Sequence, residues 1–330
     1  MKSIFFLCGL GLLWILSAAA AAVAAPPACQ GTDLTRIAGL ATAKAKRADD
    51  LVNDDGVFWR IDKPGLDPSY LFGAIHSTDD SALALARRAT ERIGGARVVA
   101  TELGGPLDAA AKADAGAAML RRALDRENDT FEDAPPADRA AIEKLVAARG
   151  YPSAFAHHLK LWFLAVLTAI PHCEAQRQAL DLPEVDQLIA QSAKASGVKV
   201  VGLETVGEQL DAISALRPRV AAVLLAVAAR DPGLNDDVYA TLLRLYRESR
   251  PAEILPISDA LGEMSEEERA AEDEFTRLLL AGRNATMAER IAPLLRGGGA
   301  FIAVGALHLP GRGGLIERLR AQGYMVTKVW

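Results

Sequence analysis

Short runs in which apolar and polar positions alternate, or in which apolar residues follow one another without a break, mark strands at both ends of the chain. Helical periodicity fills the middle. Val57–Ile61 (VFWRI) alternates with a period of two, and Ser69–Ile75 is largely apolar. The intervening DKPGLDP carries the Pro and Gly of a turn, so the two segments are expected to pair as a hairpin. Arg97–Thr101 (RVVAT) has the continuous apolar character of a buried strand. Val198–Leu203, Ala300–Val304 and Tyr324–Val329 complete a set of six.

Leu34–Ala48 and Ser81–Ile93 read as helices, the second stopped by Gly94-Gly95. From Leu107 to Leu245 the chain is alanine-rich and helical apart from the strand at 198. Pro135-Pro136, Gly150-Tyr151-Pro152, Pro171, Pro183 and Pro232 cut it into pieces. Helices resume through Arg296, and the spacing of Leu315, Ile316 and Leu319 marks a last short one before Gly323. Six short strands among many helices predict an α/β fold. It has one mixed sheet and a large helical middle section at about 107–197. No tandem repeat is visible.

The N-terminus changes where this fold is expected to work. Lys2 precedes an apolar run from Ile4 to Leu16, an alanine tract follows to Ala25, and Ala22-Val23-Ala24 fits a small-x-small cleavage site. Residues 1–24 therefore read as a secretory signal peptide, leaving 25–330 as a single periplasmic or secreted domain. A retained anchor is the alternative, since Ile4–Ala25 is just long enough to span a bilayer. The halt of strong hydrophobicity at Leu16 favours cleavage, and no stable membrane span is expected afterwards. Cys8 leaves with the signal, and Cys29 and Cys173 are expected to pair as one disulfide. The net charge of -5 provides no basic footprint, so nucleic acid is excluded as a partner. Hydrophobic residues make up 51% of the chain, enough for a substantial core.

Candidate chemistry gathers at strand ends. LFGAIH, VVATELGG, KVVGLET and IAVGALH each place an imidazole or an acid just past an apolar run: His76, Glu102, Glu204 and His308. Open α/β sheets bind ligands at the carboxyl ends of their strands, so parallel strands would bring all four together. Gly73 and Gly305, in the two Gly-x-x-His repeats, and Gly104 and Gly202 permit close approach of backbone or ligand. Two histidines with carboxylates suit a divalent cation, with zinc, manganese and cobalt all compatible. The same residues without metal could form a general-base pair. Taken singly, each has a plainer reading: a satisfied strand-end histidine, or an acid favouring a helix dipole at Glu204. His157 and His158 in the apparent helix FAHHLKLWFL read as structural or surface residues, and His172 as a helix-end residue. Arg283, with Asn284 beside it, is either a solvated charge or a holder of a carboxylate or oxyanion.

These segments resemble the TraB/GumN family, to which the TIKI proteases are related. The resemblance runs from about Cys29 to the C-terminus. It is carried by YLFGAIH, VVATEL, VVGLETVGEQL, RN followed by MAERI, and above all FIAVGALHLPGRGGLIERLRAQGYMV. Ala74 stands where members usually have Thr, and Leu161-Trp162 where Pro-Trp is common. The resemblance implies an erythromycin esterase/ChaN-like fold and a metal held by His76, Glu102 and His308. Glu204 would be a further ligand or general base and Arg283 would steady the substrate. Asn284, Gly73 and Gly305 would play supporting or substrate-binding roles. The expected function is an exported metal-dependent hydrolase, peptidase-like, acting on a peptide or small-molecule substrate. The alternatives are a non-catalytic protein binding a peptide, haem or metal, and a metal-free His/Glu esterase.

Overall fold

The computed structural model describes residues 28–105, 108–125, 129–180, 182–261 and 264–330. The expected signal peptide, 1–24, lies outside them. β1 (Phe58–Asp62) and β2 (Ser69–Ala74) form the expected antiparallel hairpin, and β6 (Met325–Lys328) pairs antiparallel with the other edge of β1. β3 (Val98–Thr101), β4 (Lys199–Gly202) and β5 (Ala300–Gly305) join β2 in a parallel set. The sheet order is β4-β3-β5-β2-β1-β6.

The helices are distributed along the chain as the proline breaks suggest. α1 (Leu40–Lys46) precedes the sheet and α2 (Asp80–Thr90) links β2 to β3. Between β3 and β4 lie α3 (Ala109–Ala123), α4 (Arg139–Ala148), α5 (Ser153–Ala156), α6 (Leu161–Ala169), α7 (His172–Ala179) and α8 (Val185–Ala195). Between β4 and β5 lie α9 (Val206–Ser214), α10 (Pro218–Arg230), α11 (Leu234–Arg247), α12 (Ile254–Ala260) and α13 (Glu266–Leu295). α14 (Leu315–Ala321) connects β5 to β6. No single helix among the described residues is long and apolar enough to cross a membrane.

Side-chain alternation along the strands builds two cores. Phe58, Phe72, Val99, Phe301 and Ala303 face one way, onto α2, α8 and α11. Their neighbours Trp59, Leu71, Val98, Ile302 and Val304 face the other way, onto the C-terminal half of α13 and onto α14. A third core, independent of the sheet, joins α3, α4, α6, α9, α10 and the N-terminal half of α13. Thus α13, 30 residues long, belongs to the helical lobe at one end and to the sheet at the other.

Two helix expectations need correction. Leu34–Ala48 is divided by Gly39, whose φ of 83° is left-handed, into a single 3₁₀ turn at Leu34–Arg36 and α1. FAHHLKLWFL is not one helix. α5 ends at Ala156 and α6 starts at Leu161. The backbone between them bonds outward to α3 and the segment after it, with Lys160 donating to the Ala123 carbonyl and Asp125 to that of His158.

Candidate functional site

The parallel register levels the strand ends. Ala74 of β2 pairs with Gly305 of β5, and Thr101 of β3 with Gly202 of β4. His76, Glu102, Glu204 and His308 therefore leave the sheet on one side, as the strand-end pattern requires. Glycines allow the packing. A Cβ on Gly305 would stand 3.2 Å from both Glu102 Oε1 and His308 Cδ2, and one on Gly73 would stand 3.0 Å from Ala306 Cα. Gly73 also offers its carbonyl to the Tyr246 hydroxyl, at 2.7 Å.

Glu102 is the centre of a buried polar network. Its Oε1 accepts the Gly305 N–H at 2.7 Å, and its Oε2 accepts Arg283 Nη2 at 2.6 Å and Gln209 Nε2 at 3.0 Å. Arg283 also donates Nε to Glu204 Oε1 at 2.9 Å and Nη2 to Glu204 Oε2 at 2.7 Å. Burial opposes the charge of Glu102, but Arg283, aided by His308, His76 and the Gly305 N–H, outweighs it and brings the carboxyl down to about 2. The guanidinium of Arg283 is thus engaged by two carboxylates, and Glu204 is held by Arg283 and Gln209. Glu204 precedes α9 rather than opening it. Thr205 is the N-cap, closed by a capping box with Glu208.

His308 is 2% exposed and bonds Asn284 through Nδ1, 2.6 Å from Oδ1. The Asn284 amide nitrogen donates to the Gly313 carbonyl, which orients Oδ1 toward the ring as an acceptor. Nδ1 must then carry the proton, leaving a lone pair on Nε2. Burial, reinforced by Arg283 and His76 against the pull of Glu102, lowers His308 to about 3, so the ring is neutral. The lone pair faces Glu102 Oε1 at 3.8 Å. Two electron-rich atoms at that separation are spaced as two ligands of one cation would be.

His76 has partners that strand-end reasoning does not supply. Its Nδ1 lies 3.1 Å from Asp186 Oδ2 and 3.7 Å from Glu184 Oε2. One donor atom from each of the three residues falls within 4.8 Å of the others. The approach to Asp186 is an ion-pair contact without hydrogen-bond geometry, so both ring nitrogens of His76 and Oδ2 of Asp186 are buried without a hydrogen bond. Burial disfavours charge on His76, but Asp186 and Glu184 prevail and raise its pKa well above the ordinary imidazole value. Burial raises Asp186 against the attraction of His76.

Glu184 and Asp186 begin α8, just after Pro183. In the sequence they resemble ordinary acids at a helix N-terminus. The signal that could have found them is the Pro break just before α8, which packs against β3 and β4. Gln209, one turn into α9, is the other residue strand-end reasoning misses. Its Oε1 is buried with no partner.

His76, Glu184 and Asp186 group closely enough to fit one divalent cation, whereas the expected ligands Glu102 and His308 form a separate pair outside that group. Ligand atoms around one ion stand about 3–4 Å apart, as the His308–Glu102 and His76–carboxylate separations do. Orphaned buried ligand atoms of this kind are otherwise costly. Four carboxylates meet here: Arg283 balances Glu102 and Glu204, His76 when protonated faces Asp186 and Glu184, and the uncharged Gln178 bonds Glu184 at 2.8 Å.

Two clefts flank α13 beside these residues. One of about 360 Å³ reaches Glu204 and Arg283, and one of about 270 Å³ reaches Asn284 and Gly313. The remaining histidines lie elsewhere. His157 bonds Asp129 at 2.8 Å, His158 is exposed, and His172 opens α7 as a helix-end residue. Cys29 and Cys173 form the expected disulfide.

Fold and site together define an α/β protein with a buried imidazole–carboxylate centre at the carboxyl ends of parallel strands. The profile of the TraB/PrgY/gumN family matches residues 57–328, and the chain belongs to that family. Neither a curated protein nor a solved structure matches it.

Proposed function

We propose that the chain is an exported metal-dependent hydrolase acting on peptide bonds. The observation that carries this reading is the half-buried His76–Glu184–Asp186 cluster, three of whose ligand atoms are buried without a hydrogen bond, beside a neutral His308 and an ionised Glu102. His76, Asp186 and Glu184 would hold the ion, and His308 Nε2 and Glu102 Oε1 are the further candidate donors. A divalent cation supplies acidification of a bound water and polarisation of a carbonyl; zinc, manganese and cobalt all suit these donors.

The chain's own groups have definable tasks. Arg283 keeps Glu102 ionised and placed, which makes it a positioning residue. Asn284 keeps the lone pair of His308 on Nε2. Gln209 Oε1 offers an acceptor suited to a substrate amide N–H. Export is supported by the Cys29–Cys173 disulfide, which belongs in an oxidising compartment.

The test is cleavage of a peptide library with manganese, cobalt and zinc supplied separately, with and without chelator. His76→Ala and His308→Ala proteins run alongside. Metal-dependent cleavage lost in both variants is expected. Cleavage that survives chelation and His308→Ala would refute the reading. A second reading, a cation-binding protein without turnover, is favoured by the depth of the site, where Glu102 is 4% and His308 2% exposed. Stoichiometric metal with no cleavage of any peptide would select it.

A further inference from the structure

The loop that carries His76 is held by α7, and α7 is held to the protein in an unusual way. Of its eight residues only Glu174 and Arg177 are buried, and both are charged. Its Ala175 and Ala179 are exposed, as is Leu180 just beyond it. A helix this short has little stability of its own, and no apolar side chain of α7 is fully buried to dock it.

The two buried charges grip the residues after His76. Glu174 Oε1 accepts the Thr78 N–H at 2.8 Å, and Glu174 Oε2 accepts the Tyr239 hydroxyl at 2.6 Å. Arg177 donates Nε to Thr78 Oγ1 at 2.8 Å and Nη2 to the Thr78 carbonyl at 2.9 Å. Tyr239 lies 2.7 Å from Ser77 Oγ. From the end of the same helix Gln178 fixes Glu184, and the Val185 N–H donates to the Ser77 carbonyl. Both halves of the His76 cluster therefore take their position from α7.

What anchors α7 covalently is Cys173, its second residue, bonded to Cys29 in the N-terminal arm. The arm is seated on α11. Thr32 donates its N–H to Asp237 Oδ1 at 2.6 Å, Leu34 its N–H to Thr241 Oγ1 at 3.0 Å, and a Cβ on Gly31 would meet the Asp236 carbonyl at 2.6 Å.

We propose that the Cys29–Cys173 disulfide is a thiol-sensitive latch on the metal cluster: oxidised, it holds α7, and through Glu174, Arg177 and Gln178 it holds His76 and Glu184 in ligating position. An external dithiol opens it. One thiolate attacks a sulfur of the pair to give a mixed disulfide. The second thiol resolves this, leaving Cys29 and Cys173 as thiols and the reductant as its cyclic disulfide. α7 then keeps its polar contacts, which compete with water, and the partial packing of Cys173 against the core.

The metal half of this inference rests on the function proposed above; the loop half does not. The experiment compares the full mature chain oxidised, the same chain reduced with dithiothreitol, and Cys29→Ser/Cys173→Ser. Amide hydrogen exchange is read at 76–79, 172–180 and 301–304, and Mn²⁺ affinity is read in parallel. Exchange at least about tenfold faster at 76–79 and 172–180 is expected on reduction and in the double variant, with 301–304 in β5 unchanged. Mn²⁺ is expected to bind about tenfold more weakly. Glu174→Ala should reproduce the faster exchange at 76–79 in the oxidised protein. Unchanged exchange on reduction overturns the latch, and so does acceleration that is equal in β5, which would make the disulfide a general brace. If the oxidised chain binds no Mn²⁺ while its loop responds to dithiol, the metal reading fails and the latch stands.

Discussion

Asn284 acts on the chemistry of the site through a single hydrogen bond to His308. One hydrogen bond to Nδ1 decides that the lone pair of His308 points at Glu102 rather than away from it. Partners of ligating histidines typically contribute tenfold to a hundredfold in metal affinity. Asn284→Ala should therefore weaken Mn²⁺ binding by about that factor, read by titration calorimetry, with the fold kept as judged by circular dichroism. Arg283 acts in a different way. Its removal leaves Glu102 and Glu204 buried without their cation, a loss of about 3–5 kcal/mol for a broken buried pair. Arg283→Ala should lower the urea midpoint accordingly in metal-free protein, and added Mn²⁺ should recover part of the loss by mass action. An unchanged midpoint would show that the network contributes no stability.

Much of this was legible before any coordinates. His76, Glu102, Glu204 and His308 stand where four apolar runs end, and parallel pairing brings them to one side of the sheet. Arg283, with Asn284 beside it, was visible as a possible holder of a carboxylate, and the family resemblance points to the same pair. Glu184, Asp186 and Gln209 were not, because a helix N-terminal acid and a helix glutamine look the same in sequence whether they face a site or solvent.

At the scale of elements, the strands were easy to read because each is short, apolar and bounded by glycine or a turn. The helices were harder. Gly39 divides one expected helix by adopting a left-handed φ, and backbone bonds to Ala123 and from Asp125 divide another. Neither depends on hydrophobic periodicity, so periodicity could not reveal them.

α13 carries a test of its own. Glu272 is 7% exposed, and burial, with Asp259 and Asp273 adding to it and Ser258 and Arg47 opposing, lifts its carboxyl to about 7. An acid whose pKa is raised by folding keeps its proton more firmly in the folded chain. Its contribution to stability is full below the unfolded value of 4.5 and is lost as pH rises through about 7. Glu272→Gln should match the parent at pH 4.5 and exceed it at pH 8 by about 1–3 kcal/mol. Denaturation midpoints at the two pH values measure this, and a variant no more stable at pH 8 contradicts it.

For the whole molecule, the sheet, its two faces and the helical lobe form a frame in which α13 spans both cores while its central residues hold the site. The disulfide ties residues 144 apart, and a brace of that reach on the whole fold is worth about 2–5 kcal/mol. A latch confined to α7 and the His76 loop predicts less: Cys29→Ser/Cys173→Ser should lower stability in equilibrium unfolding by under about 1 kcal/mol, and a loss of about 2–5 kcal/mol would mark a general brace.

On the function proposed above, His76, Asp186 and Glu184 are metal ligands, with Glu102 and His308 as further donors beside them. The most direct measurement is the metal content of the oxidised protein after equilibrium dialysis against Mn²⁺, Co²⁺ or Zn²⁺, in parallel with Asp186→Asn and His76→Ala. About one tightly held ion per chain in the parent, lost in both variants without loss of fold, is predicted. A parent that retains no ion, or variants that retain it unchanged, would contradict the account.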